Sequence, residues 1–289
     1  MANRYHVRSI SFPSRSHPTT IRVEEELNKF KTWEASSYST SDSICNGLSR
    51  LEELYESVED LLHMGSTQQV LSQNQNEKCV EELLDGSVKL LDICGITRDF
   101  MLQTNEHVRP LQSALRRRKG DSSMETSIAN YTCFRKKMKK DVKKLILALK
   151  QVDKKFETSA SPAVEQDDHL CAVIRVLREV CSMNISIFQS LCFFLTVPAG
   201  SNPRSRWSLV SKLMHKGAVT CEEKEKSVHE LDGVDAVLCT LGADAEKIEI
   251  ALKRLEALEM SINGLENGLE SVFRRLIKTR TSLLNIISQ

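Results

Sequence analysis

Glycine, proline and aromatic residues are scarce in this 289-residue chain, which holds 11 Gly, 6 Pro and 5% aromatic residues. Strand-and-turn folds and disordered chains both use glycine and proline more freely, so the composition argues against each of them. The nine cysteines stand singly, without a C-x-x-C pair. We therefore interpret them as reduced thiols packed between helices, in an intracellular compartment, and not as a disulfide framework.

The chain also lacks an apolar run of membrane-spanning length. Residues 180–203 carry no charge, but serine, asparagine and glutamine side chains interrupt them, whereas a spanning helix needs about 20 predominantly apolar residues. We expect a buried core helix there. The N-terminus has no apolar signal core, and Pro13 and Pro18 interrupt any amphipathic transit helix. Residues 1–18 are predicted to form a disordered basic arm. The predicted location is the cytoplasm, with membrane association or the nucleus as alternatives.

Motifs for catalysis are missing as well. There is no glycine-rich phosphate loop, no H-E-x-x-H and no G-x-S-x-G. We predict no catalytic residues, no metal site and no cofactor.

Helical periodicity is what the chain has in abundance. Apolar residues at steps of three and four predict long helices over 41–64, 77–119, 124–156, 164–197 and 245–287, with a shorter one after Thr19 or Thr20. Pro110 should kink or break the second of these. Residues 120–123 are predicted to be a linker, 198–206 a flexible loop, and 204–245 a less regular stretch with two short helices.

Long helices separated by short breaks imply antiparallel neighbours. The predicted fold class is therefore all-α, an elongated bundle of long antiparallel helices with coiled-coil-like packing. Residues 19–289 are predicted to form its single domain. Gly86, Gly95, Gly264 and Gly268 are interpreted as points of close helix approach. The oligomeric state is left open.

The near-zero net charge of +1 hides a strong asymmetry. Residues 104–158 hold fifteen Lys and Arg but only six Asp and Glu, a local net charge of +9. The basic residues form two groups. The first is Arg116, Arg117, Arg118 and Lys119, and the second is Arg135, Lys136, Lys137, Lys139, Lys140, Lys143 and Lys144.

Such clusters have a structural interpretation as a solvated helix face that complements acidic helices. They also suit binding to an anionic membrane surface, at about 1 kcal/mol per basic residue, or nuclear import. Aromatic side chains are not interleaved for base stacking, so no nucleic-acid binding is expected.

A short motif in the N-terminal arm predicts a phosphorylation site. Arg8, Ser11 and Pro13 lie in Arg-Ser-x-Ser-x-Pro, the pattern in which 14-3-3 proteins bind the phosphorylated second serine. Phosphate at Ser11 would add about −1.5 to −2 charge and acceptor oxygens for an arginine cluster. Chance occurrence in an arm rich in serine and arginine is the alternative.

Four segments together carry a family resemblance: HVRSISFPSRSHP at 6–18, EELLDGSVKLLDICG at 81–95, LQSALRRR at 111–118 and LENGLESVFRRLIKTRTSLLNI at 265–286. In these segments the chain resembles the plant-specific BYPASS-type family, formerly described as a plant domain of unknown function. The resemblance implies an association with root and shoot development and brings no catalytic residues. The predicted function is that of a non-enzymatic plant regulatory or scaffold protein with protein partners. The alternative is a peripheral membrane protein that binds anionic lipid through its basic helix.

Overall fold

The computed structural model describes residues 18–36, 40–117, 121–158, 168–196, 230–241 and 244–288, and all regular structure in these ranges is α-helical. The helices are α1 (Pro18–Ser36), α2 (Ser41–Leu62), α3 (Gly65–Gln73), α4 (Lys78–Arg117), α5 (Asp121–Thr158), α6 (Asp168–Thr196), α7 (Glu230–Cys239) and α8 (Ala245–Ile287). The predicted all-α fold is confirmed. The N-terminal arm through residue 17, the loop near 198–206 and the stretch up to 229 lie outside the described residues.

The helix boundaries follow local chemistry. The Oγ1 of Thr40 accepts from the amide of Ser43 and caps α2, and Asp244 caps α8 by accepting from Glu246. The short helix α3 was not predicted, because its nine residues carry too few apolar positions to show a period. The expected linker at 120–123 is wrong from residue 121 onward, since α5 already begins at Asp121.

Helix α4 continues through Pro110, so of the two expected effects, a kink or a break, the break does not occur. Pro110 removes the amide that would bind the carbonyl of Glu106. Both residues lie on the exposed side of α4, where water can bind that carbonyl, and the buried neighbours Val108 and Leu111 keep the turn packed.

Helices α1 and α2 pack antiparallel. The indole nitrogen of Trp33, late in α1, donates to the Ser43 carbonyl early in α2, and Arg22 pairs with Asp60 near the opposite ends. This arrangement is the one that short connections favour.

Helix α8 differs, because it packs between a parallel and an antiparallel neighbour. Along α2, Cys45 lies against Gly264, and Glu59 binds Lys278 fourteen residues further on each helix, so α2 and α8 are parallel. Along α4, the guanidinium of Arg280 donates to the Leu84 carbonyl near the start of α4. At the other end of α4, Arg116 pairs with Glu256, so these two helices are antiparallel.

The uncharged stretch of α6 lies in the core. Every side chain from 191 to 196 is buried, as the sequence predicts for this segment. Asn184 is fully buried, and its amide nitrogen donates to the Tyr55 hydroxyl at 2.8 Å and to the Val180 carbonyl at 2.7 Å. Among the described helices, none combines the length and apolar content that a membrane crossing requires.

Glycines set the closest helix approaches, although not all of those expected. A Cβ added at Gly86 would collide with the Phe156 ring, and one at Gly268 would lie 2.9 Å from Leu48. No neighbour among the described residues lies within 4 Å of a Cβ added at Gly95, so its predicted role at a close approach is wrong. Gly47 was not anticipated. A Cβ there would collide with the Trp33 ring and lie 2.5 Å from the Cδ1 atom of Ile187.

We expect Leu269→Asp to lower the free energy of unfolding by about 4 kcal/mol or more, because it places an unpaired charge in the core. Leu269 is fully buried in the middle of α8. Met260→Asp on the same helix is the control, since Met260 is 76% exposed and should change stability by less than about 0.5 kcal/mol. Urea unfolding followed by circular dichroism measures both. Equal stabilities for the two variants would show that the α8 stripe is not buried.

Two glycine-to-alanine changes should shift stability in opposite directions. Gly47→Ala should cost about 1–3 kcal/mol, because the Trp33 ring is held by its hydrogen bond to Ser43 and cannot move aside cheaply. Gly95→Ala should add about 0.5–1 kcal/mol, since alanine favours the helix and nothing opposes the new methyl group. Thermal unfolding of both variants checks the signs, and a stabilised Gly47→Ala would contradict the packing described here.

Candidate functional site

The outer side of α5 carries a dense group of lysines. Lys136, Lys137, Lys140, Lys143 and Lys144 are all exposed. Steps of four and three residues place Lys136, Lys140 and Lys143 in one line along the helix, opposite its buried stripe. We call these three residues the lysine stripe.

The lysine stripe differs from the basic side chains elsewhere in the bundle. Many of those form ion pairs between helices, among them Arg22, Lys31, Arg98, Arg109, Arg116, Arg175, Arg178, Arg275 and Lys278. Within the described ranges, Lys136, Lys140 and Lys143 have no such partner. Lys144 pairs with Asp141 on its own helix. The charge of the stripe is therefore available to an anionic ligand.

Arg135 is buried, so its prediction as a surface-binding residue is wrong. Its side chain points between helices, where its guanidinium donates to both carboxylate oxygens of Asp235 on α7 and to the Leu195 carbonyl on α6. Tyr131 donates to the same carboxylate at 3.2 Å, and Lys139 pairs with it at 3.1 Å. Arg135 and Lys139 therefore fix α7 against α5 and are lost to the candidate surface.

This cluster determines the charge state of Asp235. Partial burial opposes ionisation of the carboxyl group, but the hydrogen bonds and positive charge of Arg135, helped by Lys139, outweigh it. The pKa of Asp235 therefore lies below its usual value. Burial, together with the nearby Asp235 charge, raises the pKa of Tyr131 well above its usual range, so the phenol stays neutral and acts as a donor.

The two predicted basic groups lie apart in the fold. Thr104 on α4 contacts Met138 on α5, which places Arg116 level with the early part of α5, about ten residues before Lys136. At 1.5 Å per residue this is about 15 Å along the helix. Arg116 is paired with Glu256 and Arg117 donates to the Ser113 carbonyl. Arg118 and Lys119 lie outside the described residues.

A shallow groove of about 510 Å³ separates α4 from α5 beside the lysines. In it the imidazole of His107 stacks on Phe134 with ring centres 4.1 Å apart, and its Nδ1 donates to the Gln103 carbonyl at 2.8 Å. Lys137 and the exposed Cys133 line the other wall. The groove is open and mixed in polarity, which suits a protein or lipid surface better than an enclosed small molecule.

Three thiols in or beside the core are unreactive, namely the buried Cys94 and Cys192 and the half-buried Cys181. Burial raises the pKa of Cys94, Cys181 and Cys192 to about 12, so they stay protonated at neutral pH and are poor nucleophiles. The cysteines among the described residues are free. In the same ranges, no group of three His, Cys, Asp or Glu side chains has the arrangement of a metal site.

The predicted phosphorylation site lies outside the described residues. Arg8, Ser11 and Pro13 all precede α1, so the 14-3-3 interaction stays a prediction from the sequence.

The family of the chain follows from its match to a protein-family model. A family model described as Protein BPS1 matches residues 47–286, which include the helices from most of α2 to nearly all of α8. The chain belongs to the BPS1 family. The resemblance to BYPASS-type proteins is thereby confirmed. No curated protein and no solved structure matches this BPS1-family chain.

The sequence interpretation of a basic face that complements acidic helices did not identify Asp235 as the residue that pairs with Arg135 and Lys139. Asp235 lies 100 residues from Arg135 in the chain, in a stretch predicted to be less regular. The one available signal was the position of Arg135 at the edge of the apolar stripe, next to Phe134.

We expect Asp235→Asn to lower the free energy of unfolding by about 3 kcal/mol at pH 7, because it leaves buried Arg135 without its counter-charge. The depressed pKa of Asp235 contributes stability above the unfolded-state pKa of about 3.9, and this is lost as pH falls through the folded-state pKa. The difference between wild type and variant should therefore shrink at pH 3. Urea titrations at both pH values test this, with exposed Asp92→Asn as the control. A variant as stable as wild type at pH 7 would contradict it.

Proposed function

We propose that this BPS1-family chain is a non-enzymatic regulatory or scaffold protein of plant development that acts by binding other proteins. Family membership supports the developmental association. The observation that carries the proposal is the lysine stripe, whose exposed side chains stay unpaired within the described residues while many basic side chains elsewhere pair between helices. Unpaired like charges on a rigid helix attract acidic partners and set the rate of their association.

An anionic membrane surface is the second candidate ligand. Leu147, which is 42% exposed, lies in line with Lys143 one turn further along α5. An apolar side chain among lysines is typical of helices that rest on a headgroup layer. Each lysine near an anionic surface contributes about 1 kcal/mol.

Affinity purification from plant tissue tests the protein-binding proposal. The variant changes Lys136, Lys137, Lys140 and Lys143 to Glu. The control changes exposed Lys29, Lys247, Lys253 and Arg274 to Glu, which alters the net charge equally. We expect partners that are recovered with wild type and control and lost with the variant. Identical partner lists for all three proteins would reject the lysine stripe as the docking surface.

Liposome co-sedimentation tests the membrane alternative with the same proteins. If lipid is the ligand, wild type and control should pellet with anionic vesicles but not with neutral ones. Pelleting should fall at 1 M salt, where the Debye length is about 3 Å. Equal pelleting with both vesicle types, or no loss in the variant, would exclude this candidate.

A further inference from the structure

The outer side of α4 carries acidic residues at a regular spacing. Asp85, Asp92, Asp99 and Glu106 are each seven residues apart, which places them in one line on the helix. All four are exposed. Within the described residues, Asp92, Asp99 and Glu106 make no ion pair. The α4–α5 pair thus presents an acidic line beside the lysine stripe.

The register between α4 and α5 places lysines of the stripe at the same height along the helices as acidic residues of α4. Thr104 contacts Met138, and His107 stacks on Phe134. Counting along the antiparallel helices from these contacts, Lys136 is level with Glu106.

Lys143 lies five residues after Met138 on α5, and Asp99 lies five residues before Thr104 on α4, so these two residues are level. By the same count Leu147, nine residues after Met138, is level with Gly95. The paired charges face outward from neighbouring helices and do not meet in one chain.

We propose that the α4–α5 face binds a second copy of this chain around a two-fold axis that runs parallel to the helices. A half-turn about such an axis keeps each residue at its level and lays α5 of one copy over α4 of the other. Lys136 then meets Glu106 and Lys143 meets Asp99 across the interface. Two-fold symmetry repeats both pairs, which gives four intermolecular ion pairs.

The charge pattern selects this axis over its alternative. A two-fold axis across the helices would lay α4 on α4 and α5 on α5, and like charges would then oppose each other along the whole face. The parallel axis instead brings Lys136 to Glu106 and Lys143 to Asp99, which are pairs of unlike charge.

The apolar groups on the face fit the same arrangement. Leu147 of one copy comes level with Gly95 of the other, where no neighbouring side chain or helix of the described residues lies within 4 Å of the position that a Cβ would occupy. Ile96, which follows Gly95 directly, is 44% exposed, and Leu102, seven residues beyond Gly95 on α4, is 43% exposed. The Leu147 side chain of one copy would pack against the backbone at Gly95 of the other, which gives the charged face an apolar contact near its centre.

The size of the face is sufficient for a stable complex. Helices α4 and α5 overlap for about 34 residues, which is about 50 Å. Two packed helices are about 20 Å wide, so the face measures about 1,000 Å², compared with about 800 Å² per partner in a typical stable interface.

Sedimentation equilibrium of the full chain at 50 mM salt is the first test. We expect a monomer–dimer equilibrium with a dissociation constant below about 100 μM. Dissociation should increase at 1 M salt, as screening shortens the Debye length from about 14 Å to about 3 Å. A chain that remains monomeric above this concentration at 50 mM salt would overturn the proposal.

Charge reversal on each side of the face is the second test. Lys136→Glu with Lys143→Glu, and separately Asp99→Lys with Glu106→Lys, should each weaken the dimer by at least about 30-fold, since four attractions become repulsions. Because these side chains are exposed and unpaired in the described chain, both variants should fold, and circular dichroism confirms that. Lys247→Glu with Lys253→Glu changes the charge as much as the first variant does, away from the face, and should still dimerise.

Complementation is the decisive measurement. The two reversed variants, each monomeric alone, should form a 1:1 heterodimer when mixed, and a chain that carries all four changes should dimerise like wild type. Failure of both complementations overturns the two-fold pairing. If the lysine variant loses binding to anionic vesicles while wild type stays monomeric, the lysine stripe serves a membrane and not a second copy. The inference rests on the proposed protein-binding role of the lysine stripe and names a second copy as its partner. A chain that is monomeric but still loses its plant partners in the lysine variant would overturn the dimer and leave the proposed function standing.

Discussion

The apolar seam of α8 is the contact on which the rest of the bundle depends. Its buried residues recur at alternating steps of three and four, namely Leu255, Leu258, Ile262, Leu265, Leu269, Val272 and Leu276. Because α2 packs against one flank of this seam and α4 against the other, a single helix aligns two long partners of opposite direction. Helices α5 and α6 then pack onto that frame, and α7 lies against α8 through a hydrogen bond from Arg254 to the Gly233 carbonyl.

Once the seams are buried, the remaining helix surfaces are distinguished by charge. Around α8 the charged flanks are satisfied by neighbours: buried Glu59 on α2 accepts from Lys278 at 2.6 Å, and Arg98 on α4 pairs with Glu270 while its guanidinium lies over the Phe273 ring. These pairs help to define which helix lies beside which. The outer faces of α4 and α5 have no such neighbour among the described helices, so their opposite charges remain available for contacts outside the chain.

The basic residues of α5 could be located from the sequence, but which of them are exposed could be predicted only in part. The sequence correctly located a basic helix, and the regular steps placed Lys136, Lys140 and Lys143 on its polar side. It could not separate Arg135 from them, because adjacent residues differ by 100° on a helix and Arg135 sits at the border of the apolar stripe. Its burial became favourable only because α7 brings Asp235 to it, and no local pattern encodes a partner so distant in the chain.

The sequence by itself determined the all-α class, the extents of α2 and α8 and the burial of α6, because apolar periodicity is a local property that repeats over many turns. It also carried the family. Tertiary structure decided which helices run parallel, which glycines are close approaches and which charges are neutralised. Gly47 and Gly95 look alike in sequence, yet one lies against Trp33 and the other faces open space. Such differences arise from which helix packs opposite, and packing joins residues that the chain keeps far apart.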